Sequence, residues 1–310
     1  MLSEGLRARS GNSGDAARVS FSRDRSGWWR RCRASIAILA AVVGLGCGRV
    51  ETLATEPPVT PEQWCAARPC IDLGGTVLDE PLGTLLVFAL AGLWVAGGLH
   101  AWRIRAGQRS RAWFAVALVC GGIGAALAGT SFQAFGYELE CAGRSVCVWT
   151  NWFEVGYLIA QAISVSGMVA AVAHARASGN RRLAILVFAA VNAIVYTGLA
   201  LLGALVPVGA LLRFDVFLAF SAPALLLVLA IGAIGAWRRD DALGRSLVVA
   251  TLWLVLTFVA YYAYAAAGMT RTLWDDGAGF YFSENDVLHV GMIGWLAYAG
   301  TVVVRRLRDT

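Results

Sequence analysis

The stretch FSENDVLHVGMIGW at 282–295 places an acid and an imidazole, Asp286 and His289, one helical turn apart at the mouth of an apolar run. Side chains of these types at this spacing either cap a helix or supply an acid–base pair or metal ligands. A second polar group lies earlier in the chain. Ser131 and Gln133 close one apolar run, and Glu154 stands about one turn inside the next, with Tyr157, Gln161 and Ser164 following on the same face. Ionisable groups inside apolar helices are costly, so their positions carry information. Glu154, Ser131, Asp286 and His289 are therefore the candidate site residues. Each has a plainer reading as well. Asn285 and Asp286 would cap the last helix, Asp215 the fifth, Ser131 would bond back to its own helix, and His289 would be a packing element.

The elements that must position these groups follow from composition. The chain has 310 residues, 58% hydrophobic and 15% charged, where a soluble domain carries about a quarter charged residues. The excess is laid out in seven apolar runs near 82–101, 113–133, 152–173, 183–205, 214–236, 246–267 and 286–304, each near the length that crosses hydrocarbon. The fold class expected is all-α, a polytopic membrane protein with a seven-transmembrane-helix bundle over 82–304 and a cytoplasmic tail at 305–310. Lipid is thus one partner. All 26 basic residues are arginine, which reads as GC-rich coding and a bacterial source. Their basic balance does not argue for nucleic acid, because they fill short loops on one side of the spans. Arg103, Arg105, Arg109, Arg111, Arg176, Arg181, Arg182, Arg238, Arg239, Arg245, Arg305, Arg306 and Arg308 occupy one set of loops, whereas the opposite loops carry Arg144, Arg213 and Arg271 with Glu138, Glu140, Asp275, Asp276 and Glu284. The positive-inside rule then puts the C-terminus in the cytoplasm of a bacterial inner membrane and residues 48–81 outside.

Upstream, residues 1–33 form a polar basic region expected to be disordered, and 34–47 read as a signal-peptide h-region or an uncleaved signal anchor. GLGC at 44–47 is also a degenerate lipoprotein box with Cys47 as its acceptor. Two close cysteine pairs, Cys65/Cys70 and Cys141/Cys147, fall on the outer side, where disulfides form; free thiols are the alternative.

The polar residues within the spans lie in their outer halves, while the inner halves are apolar apart from His100 and His174 at their ends. One-sided polarity of this kind describes a cavity open to the outside or the outer leaflet. It does not describe a path across the membrane. No Walker loop, GxSxG or HExxH motif accompanies it.

The arrangement resembles the CREST superfamily of seven-span membrane hydrolases, which includes alkaline ceramidases and adiponectin-receptor-like proteins. In that superfamily a Gly-Ser is followed by a His at the end of the second span. An acid stands early in the third, an H-x-x-x-H lies in the seventh, and the three histidines hold zinc. The resemblance covers about 82–304 and places Gly129 and Ser131 at the Gly-Ser position, Glu154 at the acid and His289 at the first seventh-span ligand. It implies hydrolysis of a lipid or amide, with Glu154 as general base or metal ligand, Asp286 and His289 as ligands or acid–base groups, and Ser131 as oxyanion support. The second-span histidine position is Phe135 and the second seventh-span position is Ile293, so the zinc site is incomplete. A substitute divalent-metal site would draw on His289, Asp286 and Glu154 and suits a harder metal better. A closer likeness is to bacterial seven-span proteins that share the N-D-x-x-H opening of the last helix, and it implies no activity. Three functions stand on these residues: a binding or sensing protein that takes a lipid or small molecule from the outer side, a metal-dependent lipid or amide hydrolase, and a small-solute transporter.

Overall fold

The computed structural model describes residues 49–239, 241–275 and 279–310. The basic region 1–33, the signal or anchor segment 34–47 with Cys47, and Asp276 lie outside the described residues.

Seven helices among the described residues are long and apolar enough to cross a membrane: α2 (Pro81–Arg103), α3 (Arg109–Ala128), α4 (Trp152–Arg176), α5 (Gly179–Leu205), α6 (Phe214–Arg239), α7 (Ala242–Ala266) and α9 (Glu284–Tyr298). Two short helices, α1 (Pro61–Ala66) and α8 (Met269–Asp275), lie between them, and α9 continues through a π turn to Arg306. The spans match the hydropathy runs to within a few residues. Local chemistry sets their starts. Pro81 opens α2, where a missing N–H costs nothing. The Asn151 side chain accepts the Phe153 amide at the head of α4, and Asp241 accepts the amides of Leu243 and Gly244 at the head of α7.

Against expectation, Asn285 does not cap α9. Ser283 is in the extended conformation that a cap requires, and Asp286, three residues on, completes a capping box with it. Asp215 accepts a hydrogen bond from the Tyr262 hydroxyl at 2.9 Å, tying α6 to α7.

The main core joins α2, α3, α4, α7 and α9 around Trp94 and Trp295, whose rings lie 5.4 Å apart. Close approach of α2 and α3 depends on Gly121, where a methyl group would stand 2.6 Å from the Trp94 ring. Large apolar side chains point the other way. Leu183, Val187, Val191, Ile194 and Leu202 form an exposed stripe along α5 at helical spacing, as a helix face turned to lipid requires.

The two ends of the bundle differ. Residues 50–80 form a cap over one end. It contains α1 and a small hairpin, β1 (Cys70–Asp72) with β2 (Val77–Asp79), which the sequence reading did not anticipate. Its Leu73–Thr76 turn uses Gly74 and Gly75 at positive φ, with both amides bonded to the Asp72 carboxylate. Disulfides join Cys65 to Cys70 and Cys141 to Cys147 in this cap region. Backbone bonds from Cys147 to Val59 and from Trp149 to Leu53 pin the cap to the α3–α4 connection. The other end carries the short arginine-rich loops and the C-terminal tail.

Candidate functional site

The polar groups of the capped end are brought together by a change of helical period. After Ala128, α3 passes into a π turn, Gly129–Ala134, and a second π turn follows at Tyr137–Cys141. Each extra residue per turn rephases the face presented inward. Ser131, Gln133 and Glu140 are all buried as a result.

Asn151 is the hub. While its Oδ1 caps α4, its Nδ2 donates to Ser131 Oγ at 2.6 Å and to Glu140 Oε1 at 2.8 Å. Ser131 Oγ donates in turn to Glu154 Oε1 at 2.9 Å. Asn151 and Ser131 thus bridge Glu140 to Glu154. Burial, and then the Glu154 carboxylate, push the Glu140 carboxyl well above its ordinary range.

A second acidic group lies beside the first. Glu80, held at φ 38 just before α2, accepts from Arg68 at 3.1 Å and from the Tyr281 hydroxyl at 3.0 Å, both on Oε1. Burial raises its carboxyl from 4.5 to about 7 despite the neighbouring Arg68. Asp79, fully buried, accepts from the Trp64 indole and the Tyr137 amide, and burial raises it too.

Three cavities descend from these residues into the bundle. The first, about 270 Å³, is lined by Glu80, Ser131, Glu140, Glu154, Tyr281 and Asn285 among others. The second, about 260 Å³, is lined by Gln133, Tyr157, Gln161, Tyr261 and His289 between aromatic walls. Phe132 and Asn285 belong to both. The third, about 130 Å³, is almost wholly apolar, with Met168, Val172, Leu247 and Trp295 in its wall. It shares Trp94, Gln161, Phe217, Phe258 and Met292 with the second.

The structure thus pairs Ser131 with Glu154 and separates them from the other two candidates. Asp286 is buried beneath the start of α9, where its Oδ2 accepts from Ser283 N and Oγ at 2.7 and 3.2 Å. His289 is buried one turn deeper and faces the second cavity, with Nδ1 unpartnered. Among the described residues no three His, Cys, Asp or Glu side chains group so as to hold a metal ion. The donor set His289, Asp286 and Glu154 does not fit one, since Glu154 accepts from Ser131 at the wall of the first cavity while His289 lines the second. Ile293, at the missing histidine position, packs against the main core.

Two site residues escaped the sequence reading. Glu140 counts there only as an acid of an outer loop, and Glu80 is not singled out. The one signal for Glu140 is its place beside Cys141, whose disulfide draws the loop back over the bundle.

No family model, curated protein or solved structure matches this chain. Fold and site together define a multi-pass integral membrane protein with seven candidate spans among the described residues. Its capped end holds a buried polar network.

Proposed function

We propose that this protein binds an amphiphile, with the polar group in the acid-lined cavity beneath the cap and the apolar chain in the two cavities below. The observation that carries this reading is the graded lining: carboxylates and hydroxyls first, amides and aromatic rings next, and apolar side chains deepest, with walls in common at each step. Such a gradient suits a ligand that is itself polar at one end, and binding sites are commonly apolar with a few placed polar groups. A sensing or carrier role follows if the ligand reports on, or leaves to, the outer leaflet.

The orientation that goes with this reading puts the capped end outside a bacterial inner membrane. It is supported by the concentration of arginine at the other end and by the two disulfides in the cap region. An alkaline phosphatase fused to the C-terminus should then be inactive.

Native mass spectrometry of the full chain, released gently from detergent, tests the binding reading. The expected result is a retained adduct of amphiphile mass, lost at least tenfold in Met292→Trp, which fills the wall common to the two deeper cavities. A bare protein that takes up no lipid from mixed-lipid nanodiscs would overturn it.

Hydrolysis of the bound amphiphile is a second reading, favoured by the Ser131–Glu154 hydrogen bond at the cavity wall and by the CREST resemblance at those two positions. Release of fatty acid from an N-acyl or ester lipid, abolished in Glu154→Gln, would support it. Phe135 and Ile293 supply no metal ligand, so no step through zinc is drawn.

A further inference from the structure

Two carboxylates near the head of α2 are each half-satisfied. Glu80 places both its partners, Arg68 and Tyr281, on Oε1 and leaves Oε2 with none. Asp286 places Ser283 N and Oγ on Oδ2 and leaves Oδ1 with none. The two free oxygens face one point. A methyl group on Gly83 would stand 3.1 Å from Asp286 Oδ1 and 3.3 Å from Glu80 Oε2, and 3.0 Å from the Gln133 Cγ. Gln133 is 2% exposed, and its Oε1 also lacks a partner. Two carboxylate oxygens, one from the residue before α2 and one from α9, thus flank Gly83 together with the Gln133 side chain from the π turn after α3, and among the described residues none of the three acceptor oxygens has a donor.

A buried acceptor without a donor loses the whole of its hydration and regains nothing. Three together, two of them carboxylate, require positive charge or a strong donor. Arg68 does not supply it, because its guanidinium is engaged on the far oxygen of Glu80 and stacked on the Trp64 ring at 4.1 Å. The head of α2 favours negative charge through its dipole, yet its amides bond neither free oxygen.

We infer that Glu80 Oε2 and Asp286 Oδ1, with the Gln133 amide beside them, bind one compact cation between them next to Gly83, clamping the head of α2, the π turn after α3 and α9 together at the capped end. Oxygen ligands of this kind suit a hard inorganic cation or a primary ammonium group and exclude a soft metal. The site does not depend on the amphiphile reading. An occupied cation site without a lipid, or a bound lipid without a cation response, would separate the two.

The test is thermal unfolding of the full chain in a neutral detergent at pH 8. Ionic strength is held constant with choline chloride, whose cation is too bulky for the site. Sodium, potassium, calcium, magnesium and methylammonium chlorides are titrated in turn. The expected result is a saturable rise in melting temperature with one of them, as ligand linkage demands. Gln133→Leu, which removes the amide oxygen, and Gly83→Ala, which sets a methyl group against both carboxylate oxygens, should each raise the half-saturating concentration at least tenfold. A response to an inorganic ion assigns the site to that ion, and a response to methylammonium alone assigns it to an amine. Should Gly83→Ala fail to fold, Gln133→Leu and Glu80→Gln decide. Melting temperatures indifferent to every cation and responsive only to pH would mean that a proton alone occupies the site. That outcome, or equal responses in wild type and Gln133→Leu, would overturn the inference.

Discussion

The two ends of the bundle handle buried charge in opposite ways. At the arginine-rich end, charge meets a partner. Arg111 donates to the carbonyls of Ile104, Arg305 and Leu307, and Arg176 pairs with Asp241. Asp309 accepts the amides of Arg109 and Ser110, capping α3 from the far end of the chain. Thr310 reaches the carbonyls of His174 and Ala177. At the capped end, acids crowd one another around cavities, and Glu80 Oε2, Gln133 Oε1 and Asp286 Oδ1 are left without donors. One end is a lock. The other carries polar groups whose burial costs stability and is retained, which is how binding sites differ from scaffolds.

The largest effect that would break this contrast is on pH. Glu80 is pushed from 4.5 to about 7 by burial. A carboxyl raised in the folded state adds stability that is fully present below its unfolded value and is lost as pH rises through the folded one. Stability should therefore fall by on the order of 3 kcal/mol for this group between pH 4.5 and about 7, and the melting temperature with it. Glu80→Gln should make the profile shallower over that range, leaving the share due to Asp79 and Glu140. A melting temperature that rises across that range would contradict the assignment.

Opening the Cys141–Cys147 disulfide should cost about 2–4 kcal/mol and loosen the loop that holds Glu140 against Asn151. Hydrogen exchange should then increase at the capped end only. Asn151→Ala removes a helix cap and strips a donor from Glu140 and Ser131, at about 2–3 kcal/mol, which a denaturant or thermal scan can read. Asp309→Ala removes only a cap at the lock, at about 1 kcal/mol, and should leave amphiphile binding unchanged. Trp237, 92% exposed on α6, should tolerate alanine with a change under about 0.5 kcal/mol.

How far the sequence discloses this molecule depends on the kind of order involved. Hydropathy and the one-sided arginines are additive along the chain, so the seven spans can be read to within about four residues at each end. Ser131 and Glu154 are legible as a pair because each closes or opens a span on the same side. The rest depends on departures from regular period. The π turns at 129–134 and 137–141 shift phase by a residue, so a 3.6-residue template cannot show that Ser131, Gln133 and Glu140 turn inward together. Glu80 is turned by a left-handed backbone at a non-glycine residue, which no pattern marks. Asp286 and His289 read as partners by spacing, yet the capping box commits one Asp286 oxygen to Ser283 and leaves His289 to another cavity.

The central claim is that a ligand enters with its polar group under the cap and its apolar chain between the helices. An amphiphile carrying a diazirine at its terminal methyl, photolysed with the protein in nanodiscs, tests it most directly once the labelled peptides are mapped. Labels at Met168, Met292 and Trp295, in the walls of the deeper cavities, are the predicted result. Labels confined to the outward stripe of α5, at Leu183, Val187 and Ile194, would show that the chain touches the protein only from the bilayer and would contradict the account.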